Sequence, residues 1–228
     1  HGYSYEGQYD GEGNQNGFLP GVHWPGYTTM RYSEFSNNWG PTQPNWLHAR
    51  LYTNFLARNQ MILREGTARI DLAVYHHCYE ETIDFNGAKK LYDDGGLLEQ
   101  SGYSYDFISP AAFALDSVFV SDGQLAKEQA GYQALIFDHA DALPAEAARH
   151  LLSFAKDGLP IIFIGGYPLK PAFYLESEIT PMIDELKGLP NVRLVENCQE
   201  VKTALEELQV FPRARYRERA NILTTCRH

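Results

Sequence analysis

Four short aliphatic runs between residues 70 and 195 constrain the fold more than any other feature of the sequence. They read IDLAVY, QALIFD, IIFI and VRLV, and a further short run, YSYDFI, occupies residues 103 to 108. Because apolar residues continue without regular alternation, such runs are typical of strands that are covered on both faces. We therefore predict strands in the segments Ile70 to Tyr75, Tyr103 to Ile108, Ala134 to Phe137, Ile161 to Ile164 and Val192 to Val195.

Amphipathic segments alternate with these strands. Apolar residues recur at helical spacing in residues 144 to 157, 178 to 187 and 198 to 209. Asn197, with Glu200 three residues later, predicts a capping pair at the start of the last helix. Alternating strands and helices predict an α/β domain over residues 67 to 211, built on a doubly wound parallel sheet of flavodoxin type.

A helix of about twenty residues is predicted before the first strand. Pro44 suits its first turn, and Thr42 or Gln43 can act as its cap. Gly66 marks its end. The apolar stripe of this helix comprises Leu47, Leu51, Phe55, Ile62 and Leu63.

Two segments fall outside this alternation. Residues 118 to 131 contain an Asp-Gly pair, which predicts a small hairpin insertion. The basic stretch FPRARYRERA occupies residues 211 to 220 and lacks an apolar stripe. We interpret residues 212 to 228 as a linker to a following domain, with a strand of that domain beginning near Ile222 to Thr225.

The charge balance excludes some classes of partner. The net charge is -10 and the pI is near 5.2, which argues against nucleic acid and anionic membranes. The sequence contains no apolar run of eighteen residues and nothing that resembles a signal peptide. It begins at His1 without methionine, so we interpret it as a piece of a longer polypeptide.

The first forty-six residues, His1 to Trp46, are rich in polar aromatic side chains, glycine and proline. Such side chains on loops can stack against sugar rings while they hydrogen-bond sugar hydroxyls. The alternative is a long irregular loop whose aromatic side chains pack against a neighbouring segment.

The same segment contains acids that could serve two kinds of site. Glycoside hydrolysis needs two carboxyl groups beside the scissile bond, and a calcium site would use loop carboxylates and carbonyls. The available acids are Glu6, Asp10, Glu12 and Glu34.

The cysteines and histidines of the α/β segment point weakly to chemistry. Cys78, Cys198 and Cys226 form neither a disulfide framework nor a zinc pattern. His76, His77 and Cys78 follow the first strand, but adjacent residues of an extended chain point in opposite directions, which disfavours a shared metal site. A glutamine amidotransferase needs a cysteine at a tight strand-to-helix turn, where this chain has GGYP. The α/β domain is therefore predicted to be structural, while thiol catalysis by Cys78 stays an alternative.

Several motifs together resemble a known family. HGYSYEG, HWPGY, NNWGPTQPNW and LARNQMILREG, followed by ARIDLAVY, are similar to bacterial glycoside hydrolases related to family 106, the α-L-rhamnosidase type. The resemblance covers the whole chain and is most specific from Trp39 to Tyr75. It implies that residues 1 to 66 are the last segment of a catalytic (β/α)8 barrel, with its active-site loop and final helix. It also implies that residues 67 to 211 are a class I glutamine amidotransferase-like domain.

The resemblance also implies a site, since a barrel binds substrate at the carboxyl ends of its strands. Glu6 becomes the candidate catalytic carboxylate. The candidate substrate-binding residues are His1, Tyr3, Tyr5, His23 and Trp24. The implied partners are a carbohydrate and the remaining domains of the same polypeptide, in a secreted or periplasmic protein. No cofactor is implied with certainty. Since the other barrel strands lie elsewhere, the isolated chain is expected to be inactive. The alternative is a non-catalytic carbohydrate-binding or scaffolding module.

Overall fold

The structure is a computed structural model that describes residues 44–75, 97–138, 140–218 and 224–228. The chain divides into two compact units, His1–Glu65 and Gly66–His228. In the first unit a 3-10 turn, Pro44–His48, leads into helix α1, Ala49–Arg64. The predicted helix is therefore confirmed, while its predicted caps, Thr42 and Gln43, lie outside the described residues.

The second unit alternates strands and helices in the predicted order. Its strands are β1 Ala68–Arg69, β2 Leu72–Tyr75, β3 Tyr105–Ile108, β4 Val120–Ser121, β5 Gln124–Leu125, β6 Ala134–Asp138, β7 Ala142–Leu143, β8 Ile161–Ile164, β9 Lys170–Pro171, β10 Val192–Val195 and β11 Cys226–Arg227. Its helices are α2 Leu97–Gln100, α3 Ala145–Lys156, α4 Thr180–Lys187 and α5 Cys198–Glu207, with a 3-10 turn at Pro110–Ala114. None of the helices found in the described ranges is long and apolar enough to span a membrane.

Five of the strands form one parallel sheet in the order β10-β8-β6-β2-β3. All four neighbouring pairs in this sheet are parallel. Counted along the chain from β2, the spatial order of these strands is 2-1-3-4-5. The predicted parallel central sheet of an α/β domain is thus confirmed.

The central strands β2, β6 and β8 are buried on both faces, because a separate apolar cluster covers each face. One face carries Tyr75, Phe137 and Phe163 and packs against α3 and α4. Ring centroids there are 4.6 Å apart for the first pair and 4.9 Å for the second, so the aromatics stack across three strands. The other face, which includes Leu72 and Val74, packs against α2 and α5. This double coverage is the reason for the uninterrupted apolar runs.

The strand at VRLV departs from the sequence prediction. We expected both faces of Val192–Val195 to be covered, but β10 lies at an edge of the sheet and the Leu194 side chain is 50% exposed. A run of four residues with two valines and a leucine looks alike at the centre and at the edge of a sheet. Its place in the strand order decides how much of it is buried.

The predicted hairpin insertion is confirmed. β4 and β5 pair antiparallel around Asp122 and Gly123. Both turn residues have positive φ angles, 49° and 71°, as a two-residue hairpin turn of the primed type requires. Lys127 forms an ion pair with Asp122, which links the second strand end to the turn.

Candidate functional site

Ligands of open α/β sheets bind beyond the carboxyl ends of the strands, so a ligand site is expected at this edge of the sheet. The segment after β2, residues 76–96, lies outside the described residues. β3 leads into the Pro110–Ala114 turn, β6 ends at Asp138, and β8 ends in Gly165 and Gly166. The edge thus combines one buried carboxylate with a glycine turn.

Asp138 is the last residue of β6 and is only 4% exposed. Its register partner on β8 is Ile164. A carboxylate buried at the carboxyl end of a central strand is a functional-site candidate, because acidic side chains are rarely fully buried unless they are paired or have a functional role. Our sequence interpretation missed Asp138. The available signal was an acidic residue that ends the apolar run QALIFD.

The exit of β8 is a tight turn without a thiol. Gly165 and Gly166 have φ angles of 74° and 154°, and the Gly165 N–H donates to the Val195 carbonyl at 2.9 Å. Next in the chain, the Tyr167 ring packs on the Phe163 ring with centroids 4.7 Å apart. Burial raises the pKa of Tyr167, so its hydroxyl is protonated near neutral pH. The turn therefore offers backbone and a neutral phenol rather than a nucleophile.

A groove of about 290 Å³ opens beside this edge, between the turn after β3 and the start of α3. Its walls are mainly apolar, and two polar side chains, Glu146 and His150, lie one helical turn apart on α3. The His150 ring lies 6.0 Å from the Phe154 ring. This volume is at the lower end for small-molecule pockets, so the groove suits a small group rather than an oligosaccharide.

The described ranges contain no group of three or more His, Cys, Asp or Glu side chains that could hold a metal ion. Cys198 is buried and Cys226 is partly buried.

The sequence-predicted site residues cannot be compared with this geometry. His1, Tyr3, Tyr5, Glu6, His23 and Trp24 all lie outside the described residues. The same holds for His76, His77 and Cys78. The structure therefore leaves these candidates as predictions.

A polar network centred on Asp71 lies at the opposite, amino edge of the sheet. Asp71 is 1% exposed and precedes β2. Its Oδ2 accepts from the Ser104 N–H and Oγ–H, both at 2.9 Å. Its Oδ1 accepts from Gln133 Nε2 at 2.9 Å, and from Arg213 N and Nη1 at 3.1 and 3.0 Å. This full set of donors marks Asp71 as a structural anchor, because no acceptor position faces a ligand space.

The comparisons with known proteins give a fold likeness only. No protein-family model matches the chain, and no curated protein does. Among solved structures, the chain is similar to a rhamnosidase from Novosphingobium sp. PP1Y, with 17% sequence identity and a TM-score of 0.53. The match covers 76% of this chain and 17% of the rhamnosidase. An exo-carrageenase GH42 from Bacteroides ovatus matches with 12% identity over 63% of this chain and 18% of its own, at a TM-score of 0.39.

The rhamnosidase match shows that this chain shares the fold of a segment of a glycoside hydrolase. The chain spans about 17% of that protein's length, so most of the rhamnosidase has no counterpart here. At 17% identity the likeness concerns backbone architecture.

Proposed function

We propose that this chain is part of a glycoside hydrolase that removes a terminal sugar, an α-L-rhamnoside, by carboxylate acid/base chemistry. The observation that carries the proposal is the fold shared with a rhamnosidase over 76% of the chain. The motifs between Trp39 and Tyr75, which resemble glycoside hydrolases related to family 106, support it independently. The partners under this proposal are a carbohydrate and the remaining domains of the polypeptide, in a secreted or periplasmic protein.

We assign the chemistry to the first unit and a supporting role to the second. Residues 1 to 66 would provide the last segment of a catalytic barrel, with Glu6 as its acid and Tyr3, Tyr5 and Trp24 against the sugar. The second unit would be a flavodoxin-like domain of the amidotransferase type. Its strand order, 2-1-3-4-5, supports this assignment. The thiol-free turn at Gly165 and Gly166 supports a structural role for it.

The test uses the complete enzyme and an aryl α-L-rhamnoside. We expect Glu6→Gln to lower kcat by roughly 10²–10⁴-fold, because this is the usual contribution of a general acid or base. Glu65→Gln, at an exposed residue beyond helix α1, is the matched control and should retain the rate of the unaltered enzyme. Melting temperatures of both variants check the fold. A Glu6→Gln rate within a few-fold of the unaltered enzyme would assign the chemistry to Glu12, Glu34 or an acid elsewhere in the protein.

The second candidate is a non-catalytic carbohydrate-binding or scaffolding module. The polar aromatic side chains of residues 1 to 46 favour it, because they can contact a sugar without supplying catalytic chemistry. Sugar binding by the complete protein without hydrolysis of any aryl glycoside would select this candidate. Cys78→Ala separates it from amidotransferase-like chemistry, since only a thiol enzyme would lose activity.

A further inference from the structure

A second cavity, of about 400 Å³, lies at the amino edge of the sheet, whereas the glycine turn after β8 lies at the carboxyl edge. Helix α2, helix α5 and the segment Phe211 to Glu218 form its walls. Tyr103 contributes a side chain that is 3% exposed, and its hydroxyl donates to the Val210 carbonyl at 2.9 Å. The volume falls within the range of small-molecule sites.

The charged side chains that line this cavity carry a net positive charge. Three are cationic, Lys202, Arg215 and Arg217, and two are carboxylates, Glu206 and Glu218, so one positive charge is in excess. This local excess contrasts with the net charge of -10 for the whole chain. Lys202 Nζ lies 2.7 Å from Glu206 Oε1, one turn away on α5, so these two charges compensate each other.

Arg215, Arg217 and Glu218 remain, which leaves the net positive charge with the arginines. Within the part of the chain that the structure describes, neither Arg215 nor Arg217 forms an ion pair with a carboxylate. The Arg215 guanidinium lies over the Phe211 ring, 4.3 Å from its centroid. This stacking holds the planar group in place, so less side-chain entropy is lost when it binds a ligand. An exposed, pre-oriented guanidinium without a carboxylate is suited to a carboxylate or phosphate, which it contacts through two N–H groups.

The Tyr103 hydroxyl adds no negative charge to those of Glu206 and Glu218. Burial raises the pKa of Tyr103, and the nearby Glu206 and Asp71 carboxylates raise it further, while Arg215 lowers it. The Tyr103 hydroxyl is therefore neutral throughout the physiological range. Leu97, Pro212 and the Tyr103 ring supply apolar wall, which an inorganic anion alone would leave uncovered.

We propose that this cavity binds a small ring-bearing organic carboxylate, with Arg215 and Arg217 as the anion contacts and the apolar wall against the ring. The class includes sugar acids and aromatic acids. The assignment does not depend on hydrolase activity, because it predicts binding to the 228-residue chain itself.

Isothermal titration calorimetry with glucuronate and benzoate tests it, with glucose and benzamide as uncharged counterparts and inorganic phosphate as a ringless anion. We expect at least one acid to bind with a dissociation constant on the order of 1 mM, and its uncharged counterpart not to bind at about 10 mM. The acid that binds identifies the sugar or the aromatic source. Arg215→Gln and Arg217→Gln should each weaken binding by about tenfold, the usual effect of losing a charge-assisted hydrogen bond. Arg215→Lys should weaken it less.

Arg149→Gln is the matched control, since Arg149 is exposed on α3 and does not line the cavity. It should bind like the unaltered chain. Failure of both acids to bind at about 10 mM, or equal weakening in Arg149→Gln, would overturn the proposal. Phosphate binding as tight as that of either acid would overturn the part of it that concerns the ring.

Discussion

Replacing Asp71 should destabilise the second unit more than any exposed charge replacement does. The Asp71 carboxylate accepts five hydrogen bonds, and its partner Arg213 has a side chain that is only 23% exposed. Asp71→Ala would leave the Ser104 N–H without this acceptor and Arg213 without its carboxylate. Arg213 and Gln133 would keep their bonds to the Gly131 and Phe211 carbonyls, at 2.6 and 3.0 Å.

Breaking a buried pair by removing one partner costs about 3–5 kcal/mol, and the partial exposure of Arg213 places Asp71→Ala near the lower end, about 3 kcal/mol. Asp71→Asn keeps one acceptor oxygen but turns an N–H group toward donors on one side. We expect it to cost about 1–3 kcal/mol, the penalty for leaving a buried group unsatisfied.

Urea unfolding of the 228-residue chain, followed by circular dichroism and extrapolated linearly to water, measures these changes. Asp184→Asn is the matched control. The Asp184 carboxylate lies 2.7 Å from Lys187 Nζ, but its side chain is 61% exposed, so its loss should cost less than about 1 kcal/mol. The reasoning fails if Asp71→Ala and Asp184→Asn lower the free energy of unfolding equally.

Three further predictions follow from the second unit. Gly102→Ala should destabilise it by more than Gly158→Ala: both glycines have positive φ angles, but a Cβ at Gly102 would lie 1.7 Å from the Ala214 carbonyl oxygen, whereas one at Gly158 meets open space. Gly158→Ala should cost about 1–2 kcal/mol in urea unfolding. Burial and the Asp106 carboxylate raise the pKa of Tyr132 to about 12. The neutral Tyr132 hydroxyl therefore contributes fully to stability below about pH 10, and this contribution is lost as the pH rises toward 12. Urea unfolding measured from about pH 9 to 12 should show a flatter pH dependence for Tyr132→Phe than for the unaltered chain. Residues 66–228, expressed alone, should unfold cooperatively, and a broad transition would count against an autonomous unit. A chain cut after residue 210 should unfold at a lower urea concentration, because it loses Arg213 and β11.

Local sequence was sufficient where one burial pattern has one structural solution. Continuous apolar runs predicted β2, β6 and β8, because strands that are covered on both faces are apolar along their whole length. The capping pair at Asn197 was also readable, since a cap acts within its own turn: the Asn197 side chain accepts from the Gln199 N–H at 3.0 Å. Glu200 differs slightly from expectation, because it accepts from the Glu196 N–H rather than from that of Asn197.

Contacts between residues that are far apart in the sequence could not be predicted from local patterns. Asp71 and Arg213 are 142 positions apart, and nothing in the basic stretch FPRARYRERA distinguishes the arginine that is held by a buried carboxylate from those on the surface. β11 likewise pairs with β1 across almost the whole second unit. Such pairings depend on where the sheet places the chain ends, which no local pattern records.

The same division holds for the sites. The sequence by itself determined the α/β class, the helix at residues 44 to 64, the hairpin and the absence of a thiol at the β8 turn, because each of these depends on residues close together in the chain. Only the tertiary structure decided that VRLV lies at an edge, that Asp138 is buried at the carboxyl edge, and that Arg215 and Tyr103 share a cavity. The burial of a strand and the set of residues that form a site depend on which residues the fold brings next to them, and those residues come from elsewhere in the sequence.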